Sequence, residues 1–134
     1  MTHLKIETTS PLSIFDQVVY SATKAILGGA LKPGDAFPSV RTLAADLKIH
    51  PNTAHKAIQH LIRERWLISS PGKGTVVANP PKARSGDRHR LLNIEIETLV
   101  VEARRVGATL DEVVGSIESH WQSLQNLRSV SNDS

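Results

Sequence analysis

At 134 residues with no cysteine, the chain can bury one modest core or a small core with an oligomerising appendage, and disulfides, thiol catalysis and cysteine-based zinc sites are excluded. No apolar run reaches the length of a membrane span, no signal-peptide core opens the chain, and an aromatic content of 4% argues against a base-stacking single-strand binder, so a cytoplasmic protein is expected. The net charge of +3 is mild, but nine Lys/Arg against five Asp/Glu fall in residues 1–78, four against one in 79–90 and three against seven in 91–134, which predicts an anion-binding head and a non-binding tail.

The first ten residues read as a short extended lead-in that Pro11 ends. Ile14, Val18, Ala22, Ala25 and Ile26 then recur at helical spacing, predicting a scaffold helix from about Ser13 to Leu27 that Gly28 and Gly29 terminate. Pro33-Gly34-Asp35 reads as a tight turn. Ser39 reads as the N-cap of a short helix from Val40 to Leu47, buried through Val40, Leu43, Ala44 and Leu47.

Lys48 to His50 connects this helix to a longer one, His50 to Leu67, where Pro51 fits the first turn because a missing N–H costs nothing there. Its apolar stripe is Ala54, Ala57, Ile58, Leu61, Ile62 and Leu67. Asn52, Thr53, His55 and Lys56 gather donor-rich side chains at its start, as a helix needs when it pushes its first turn into the major groove. A merely solvated face would read the same way, so the flanking segments decide. Past Leu67 the period changes: Leu67-Ile68-Ser69-Ser70 and Thr75-Val76-Val77-Ala78 flank Pro71-Gly72-Lys73-Gly74, predicting a β-hairpin with a basic tip. A helix-turn-helix followed at once by such a hairpin is a winged helix.

Asn79 to Arg90 is Pro-rich and then basic. A solubilising linker is the plainer reading, and added phosphate contacts from Lys82, Arg84, Arg88 and Arg90 are the other. Leu92, Ile96, Leu99, Ala103 and Val106 are spaced four, three, four, three, a coiled-coil-like seam that Gly107 closes. Thr109 with Glu112 forms a capping box for a last helix with the stripe Leu110, Val113, Val114, Ile117, Trp121, Leu124 and Leu127. Two such helices enclose no core of their own, so their stripes ask for a partner, most simply a second copy. The fold class expected is mostly α with a small β-hairpin. A winged helix-turn-helix domain (1–78) is followed by a basic linker (79–90), a two-helix dimerisation region (91–128) and a disordered tail (129–134).

The succession PLSIFDQV, GGALKPGDAFPSVRTLAADL, HPNTAHKAIQHL and PGKGTVV resembles the DNA-binding domain of the GntR family of bacterial transcription regulators, from about Pro11 to Ala78. The signal is specific because Gly-x-Leu-x-Pro-Gly-Asp, Pro-Ser-x-Arg-x-Leu-Ala, Pro-Asn-Thr and Gly-Lys-Gly-Thr occur in order. The short two-helix tail resembles the YtrA-like branch of that family. The resemblance implies a non-enzymatic homodimer, most simply a repressor, that binds a double-stranded DNA operator of two-fold character. It places Arg41 at an arginine that reaches a base or phosphate, Asn52, Thr53, His55 and Lys56 at the start of the recognition helix, and Gly72, Lys73 and Gly74 at a wing tip near the minor groove. Ser39 and Lys48, at the ends of the short helix, complete the candidate DNA contacts. Base reading is assigned to Arg41, Asn52, Thr53 and His55, and phosphate contact to Lys56 and Lys48. Leu92, Ile96, Leu99, Ala103, Val106, Val114, Ile117, Trp121 and Leu124 are the candidate dimer interface. Arg65 departs from the pattern, since the family usually has Gly there, at a helix end where positive φ is convenient. An Arg in that conformation costs about 1 kcal/mol, so a reshaped helix end or compensation by Trp66 packing is expected.

Other chemistry is less well supported. Lys73 is not in a P-loop, which needs Gly-Lys followed directly by Ser or Thr, because Gly74 intervenes. His50, His55 and His60 are five apart and share no helical face as metal ligands, and His3, His89 and His120 are scattered, so no metal or cofactor is expected. No nucleophile, base and orienting acid announce a hydrolase, and Ser39 already has its cap. Trp121 fits an interface better than an effector stack, and Arg104-Arg105 suit a helix C-terminus. Two further readings stand beside the regulator. One is a protein-interaction module whose tail binds a different partner while the winged helix serves as a docking surface. The other is an effector-gated switch, for which the sequence names no ligand.

Overall fold

The computed structural model describes residues 4–132, with side chains through residue 126. The chain divides into two units, one comprising Met1–Pro81 and Leu124–Ser134, the other Lys82–Ser123. The first is a winged helix-turn-helix: α1 (Ile14–Leu27), α2 (Val40–Leu47), α3 (Pro51–Arg63), β1 (Leu67–Ser70) and β2 (Gly74–Val77).

Helix α1 starts where Ser13 Oγ accepts the Asp16 N–H at 3.1 Å. Val18, Ala22, Ala25 and Ile26 are buried, as their spacing predicts, and Gln17 is buried beside them. The buried amide is fully used. Its Oε1 accepts the Glu7 N–H at 2.7 Å, and its Nε2 donates to the Glu7 and Leu12 carbonyls, each at 3.0 Å. A paired amide avoids the penalty of desolvating a lone one. Together with buried Leu4 and the Lys5 N–H on Ser21 Oγ, Gln17 fastens the lead-in along α1.

The helix-turn-helix forms over the expected residues but ends differently. Ser39 Oγ accepts the Thr42 N–H at 3.1 Å and starts α2. Lys48, at φ 57, is left-handed, and the Ile49 N–H bonds the Ala44 carbonyl at 3.0 Å. That closes α2 and turns the chain into α3 within three residues. Helix α3 stops at Arg63 rather than running on to Leu67. The Trp66 N–H bonds the Leu61 carbonyl at 2.9 Å and the Arg65 N–H bonds that of Ile62 at 3.0 Å, a Schellman motif that needs a left-handed residue between. Arg65 supplies it at φ 68. The helix end is therefore ordinary in shape, with an arginine in glycine's conformation and half-buried Trp66 packed on the core behind it. Leu67 leaves the helix and opens β1, fully buried. Replacing Arg65 by Gly is expected to raise stability by about 1 kcal/mol, since only the backbone cost changes at this exposed position. Thermal unfolding checks this, and a lowered midpoint would mean that the Arg65 side chain contributes more than its backbone costs.

The wing is antiparallel, with Leu67 opposite Val77 and Ser70 opposite Gly74. Its second strand starts one residue earlier than expected. The Lys73 N–H bonds the Ser70 carbonyl at 3.0 Å across Pro71 and Gly72, the latter at φ 78. This is a type II turn, and its third position needs a residue tolerant of positive φ. A further segment lies along the other edge of β2. Phe37 N–H bonds the Thr75 carbonyl at 2.9 Å, Val77 N–H that of Asp35 at 2.8 Å, and Gly34 N–H that of Val77 at 2.8 Å. The Pro33-Gly34-Asp35 turn thus also delivers a short flanking strand to the wing. The core beneath gathers Val18, Leu43, Leu61, Leu67 and Val77 from all five elements.

In the second unit a helical run comprises α4 (Asp87–His89), a π-helical segment (Arg90–Glu95) and α5 (Ile96–Arg105); α6 (Leu110–Asn132) follows and belongs to this unit as far as Ser123. The run begins four residues before the expected start at Leu91. A π turn holds more residues than an α turn, so the four-three seam expected from Leu92 is regular only from Ile96 through Leu99 and Ala103. Val106 caps α5 at φ −90 and lies outside it. The capping box forms as expected: Thr109 N–H donates to Glu112 Oε1 at 2.9 Å and Glu112 N–H to Thr109 Oγ1 at 3.2 Å. The donated Thr109 N–H holds the Glu112 carboxyl below its ordinary range. Helix α6 is drawn through Asn132, overlapping the first residues of the expected tail. The rest of that expected tail, residues 133–134, lies outside the described residues, as do His3 and the Leu127 side chain.

Between residues 82 and 126 nothing is buried. Only Asp87, Ala103, Ala108, Val113 and Leu124 are half-buried, and the rest are exposed. Among the described residues no helix is long and apolar enough to cross a membrane.

Candidate nucleic-acid interface

Helix α3 turns Ala54, Ala57, Ile58 and Leu61 into the core. Asn52, His55 and Lys56 are left exposed, and Thr53 half-buried. The polar edge is therefore open along the helix start, where the sequence placed the reading residues. Its backbone donors, in contrast, are already occupied. His50 Nδ1 accepts the Asn52 N–H at 3.0 Å, and the His50 carbonyl accepts those of Thr53 and Ala54 at 3.0 and 3.2 Å. Pro51 has no N–H to offer. A base or phosphate arriving here must be met by side chains.

The cap by His50 is one that the sequence reading missed. Ser, Thr, Asp and Asn are the usual N-caps, and the hint was Pro51 directly after it, a residue suited to the first helical turn. Because Nδ1 accepts, Nε2 is the ring nitrogen that carries the proton in the neutral histidine, which makes exposed His50 a further donor beside Asn52.

Arg41 and Lys48, at either end of α2, are exposed, and so are Gly72 and Lys73 in the turn and Gly74 at the first position of β2. Ser39 is exposed but committed locally, donating to Thr42 Oγ1 at 3.1 Å while it caps α2. Of the ten candidates it has the least left to give a ligand. His60 lies edge-on to Phe15, ring centroids 5.4 Å apart, in a packing role. Among the described residues no three His, Cys, Asp or Glu side chains come together to hold a metal.

This arrangement was compared with known proteins. Residues 16–77 match the family described as bacterial regulatory proteins, gntR family. The chain carries a GntR-family domain over these residues. Its sequence is similar to the HTH-type transcriptional repressor YtrA of Bacillus subtilis (strain 168), 29% identical over 111 residues, covering 82% of this chain and 85% of that protein. Its structure is similar to a transcriptional antiterminator from Listeria monocytogenes EGD-e, with a TM-score of 0.78 and 26% identity over 92% of this chain and 93% of that one. It is also similar to YtrA from Sulfolobus acidocaldarius, a GntR-family transcription factor, with a TM-score of 0.52 and 27% identity over 90% and 97% of the two chains. The match to these short proteins extends past the wing into the tail helices, which places the GntR chain in the YtrA-like branch. It is a DNA-binding transcription regulator, and its relatives are regulators rather than enzymes.

Proposed function

We propose that this GntR-family chain is a dimeric repressor that reads a two-fold-related operator with the Asn52–Lys56 edge of α3. The observation that carries this reading is the open polar edge on a helix whose other face is sealed into the core. Arg41, Asn52, Thr53 and His55 meet base edges, Lys48 and Lys56 meet phosphates, and Gly72, Lys73 and Gly74 bring the wing to the neighbouring groove. Phosphate neutralisation supplies most of the affinity and base contacts the selectivity. Dimerisation is supported by the tail, where Leu99, Val100, Val114 and Ile117 are each 42–45% exposed and Trp121 68% exposed on a lone chain. Large apolar side chains left exposed on successive helices point to an association site, and a second copy supplies matching ones.

Selection of bound duplexes from a random-sequence library tests the reading. The expected product is an inverted repeat with half-sites one helical turn apart, about 10–10.5 base pairs centre to centre, or a multiple of it. An asymmetric motif would overturn the dimeric arrangement. On the selected duplex, Arg41→Ala is expected to cost about 1–3 kcal/mol and relax preference at one base pair, whereas Lys56→Ala weakens all duplexes alike. Equal effects of both variants on selected and scrambled duplexes would refute this division of labour.

A further inference from the structure

We infer that Trp121 of each protomer plugs a hollow between α5 and α6 of a second copy, with the two α6 helices antiparallel about a two-fold axis level with residues 115 and 116. The inference deepens the dimeric reading above and rests on it. Between residues 82 and 123 nothing is buried, and twelve large apolar side chains from Leu91 to Trp121 are exposed, at 37–76%. Helices draw most of their stability from a packed apolar face, and here the faces are bare. At the corner where α5 gives way to α6, Val100, Ala103, Ala108, Leu110 and Val113 line an apolar hollow of ≈ 450 Å³, with Arg104 its only charged side chain.

The occupant of the hollow follows from the α6 stripe. Leu110, Val114, Ile117 and Trp121 succeed one another at steps of four, three and four, a run that reads the same from either end. Their exposure has nearly the same symmetry, 76% and 68% at the outer positions and 43% at both inner ones. Laid antiparallel on its copy, such a run sets Val114 level with the partner's Ile117 and Leu110 level with the partner's Trp121, an isologous contact in which each chain gives and receives the same group. Leu110 itself lines the hollow, so the partner's indole arrives there. A parallel pairing would hold the indole about 16.5 Å along the helix from Leu110 and leave the hollow unfilled. The chemistry agrees: the face of an indole attracts a guanidinium such as that of Arg104, and Trp and Arg are the side chains that most often anchor interfaces. The two tryptophans together supply roughly 300–500 Å² of the about 1,200–2,000 Å² that a stable interface buries, and the other exposed apolar residues of each chain offer surface for the rest. An unrelated protein would need the same spacing by accident, whereas a second copy has it by identity.

The test uses the full-length chain carrying Trp66→Phe, which leaves Trp121 as the only tryptophan. Its emission is expected at shorter wavelength in the dimer than after dilution to the monomer. Ala103→Phe fills the socket without touching the plug. By overpacking the hollow in both copies it should raise the dimer dissociation constant at least about tenfold and move the Trp121 emission to longer wavelength, while circular dichroism shows the helices kept. Because the chain has no cysteine, engineered thiols report the register alone. Val114→Cys/Ile117→Cys, level across the axis, should give disulfide dimers, whereas Leu110→Cys, about 16.5 Å from its copy and beyond the roughly 7 Å that a disulfide spans, should not. A dimer in which Trp121 emits as in the monomer, or a disulfide dimer of Leu110→Cys, overturns the inference and leaves dimerisation standing. Binding of anilinonaphthalene sulfonate to the dimer but not to Ala103→Phe would show the hollow open to a small apolar ligand, and likewise overturns it. A wild type that sediments as a monomer at every concentration removes the dimeric reading and this inference with it, leaving the stripe to a different protein.

Discussion

Trp121→Glu is expected to convert the protein to a monomer and to lower affinity for a two-site operator by about 10²–10⁴-fold, the usual gain from joining two binding modules. The side chain is 68% exposed in the lone chain and continues the α6 stripe of Val114, Ile117 and half-buried Leu124. An aromatic side chain of this size buries about 150–250 Å² when covered. At about 25 cal/mol per Å² that is an upper bound of roughly 4–6 kcal/mol for each tryptophan. In a two-fold dimer the residue enters twice, so the substitution removes two anchors and asks two carboxylates to leave water. Because the residue is exposed on its own chain, α6 should keep its helix, and circular dichroism should match the wild type. Sedimentation reads the assembly state and anisotropy the affinity. A monomeric wild type, or a variant that remains dimeric, would show that this stripe is not the interface.

Leu61→Ala is the second large effect. The side chain is fully buried in the cluster that joins α1, α2, α3 and β1, and its carbonyl receives the Trp66 N–H that closes α3. Truncating a buried leucine costs about 2–5 kcal/mol, because the cavity it leaves collapses only in part. For a domain of this size each kcal/mol moves the thermal midpoint by about 4–8 °C, so a fall of at least about 8 °C is expected. Urea unfolding should show a lower midpoint at unchanged slope, the mark of a stability change alone. Ile62, one residue on and only half-buried, should tolerate the same change at smaller cost. A loss below about 1 kcal/mol at Leu61 would mean that the cavity refills, contrary to the close packing of protein cores.

The winged helix was legible because its signals are local. The cap at Ser39, the three-four spacing in α1 and α3, and the Pro-Gly pairs at 33–34 and 71–72 each depend on neighbours within one turn of chain. Where the reading went wrong, the deciding feature was one that residue type and spacing do not announce. The end of α3 misread because Leu67 keeps the helical apolar spacing, while the backbone turns at Arg65 against the usual preference for glycine. The flanking strand at Asp35–Phe37 was invisible because it is too short to alternate and exists only by pairing with β2. His50 as a cap and the π segment at Arg90–Glu95 escaped because residue type alone does not announce either.

By itself the sequence determined the identity of most core-facing residues of α1 to α3, the open polar edge at the start of α3 and the family of the domain over residues 16–77. All three are written in residue type and spacing, which act over a few positions. Only the structure decided that buried Gln17 fastens the lead-in, that the backbone donors at the start of α3 are already engaged, and that Arg84 and Asp87 close a hydrogen-bonded turn. The reason is that a hydrogen bond is decided by where its partner lies, and for each of these groups several partners were chemically equivalent until the chain had folded.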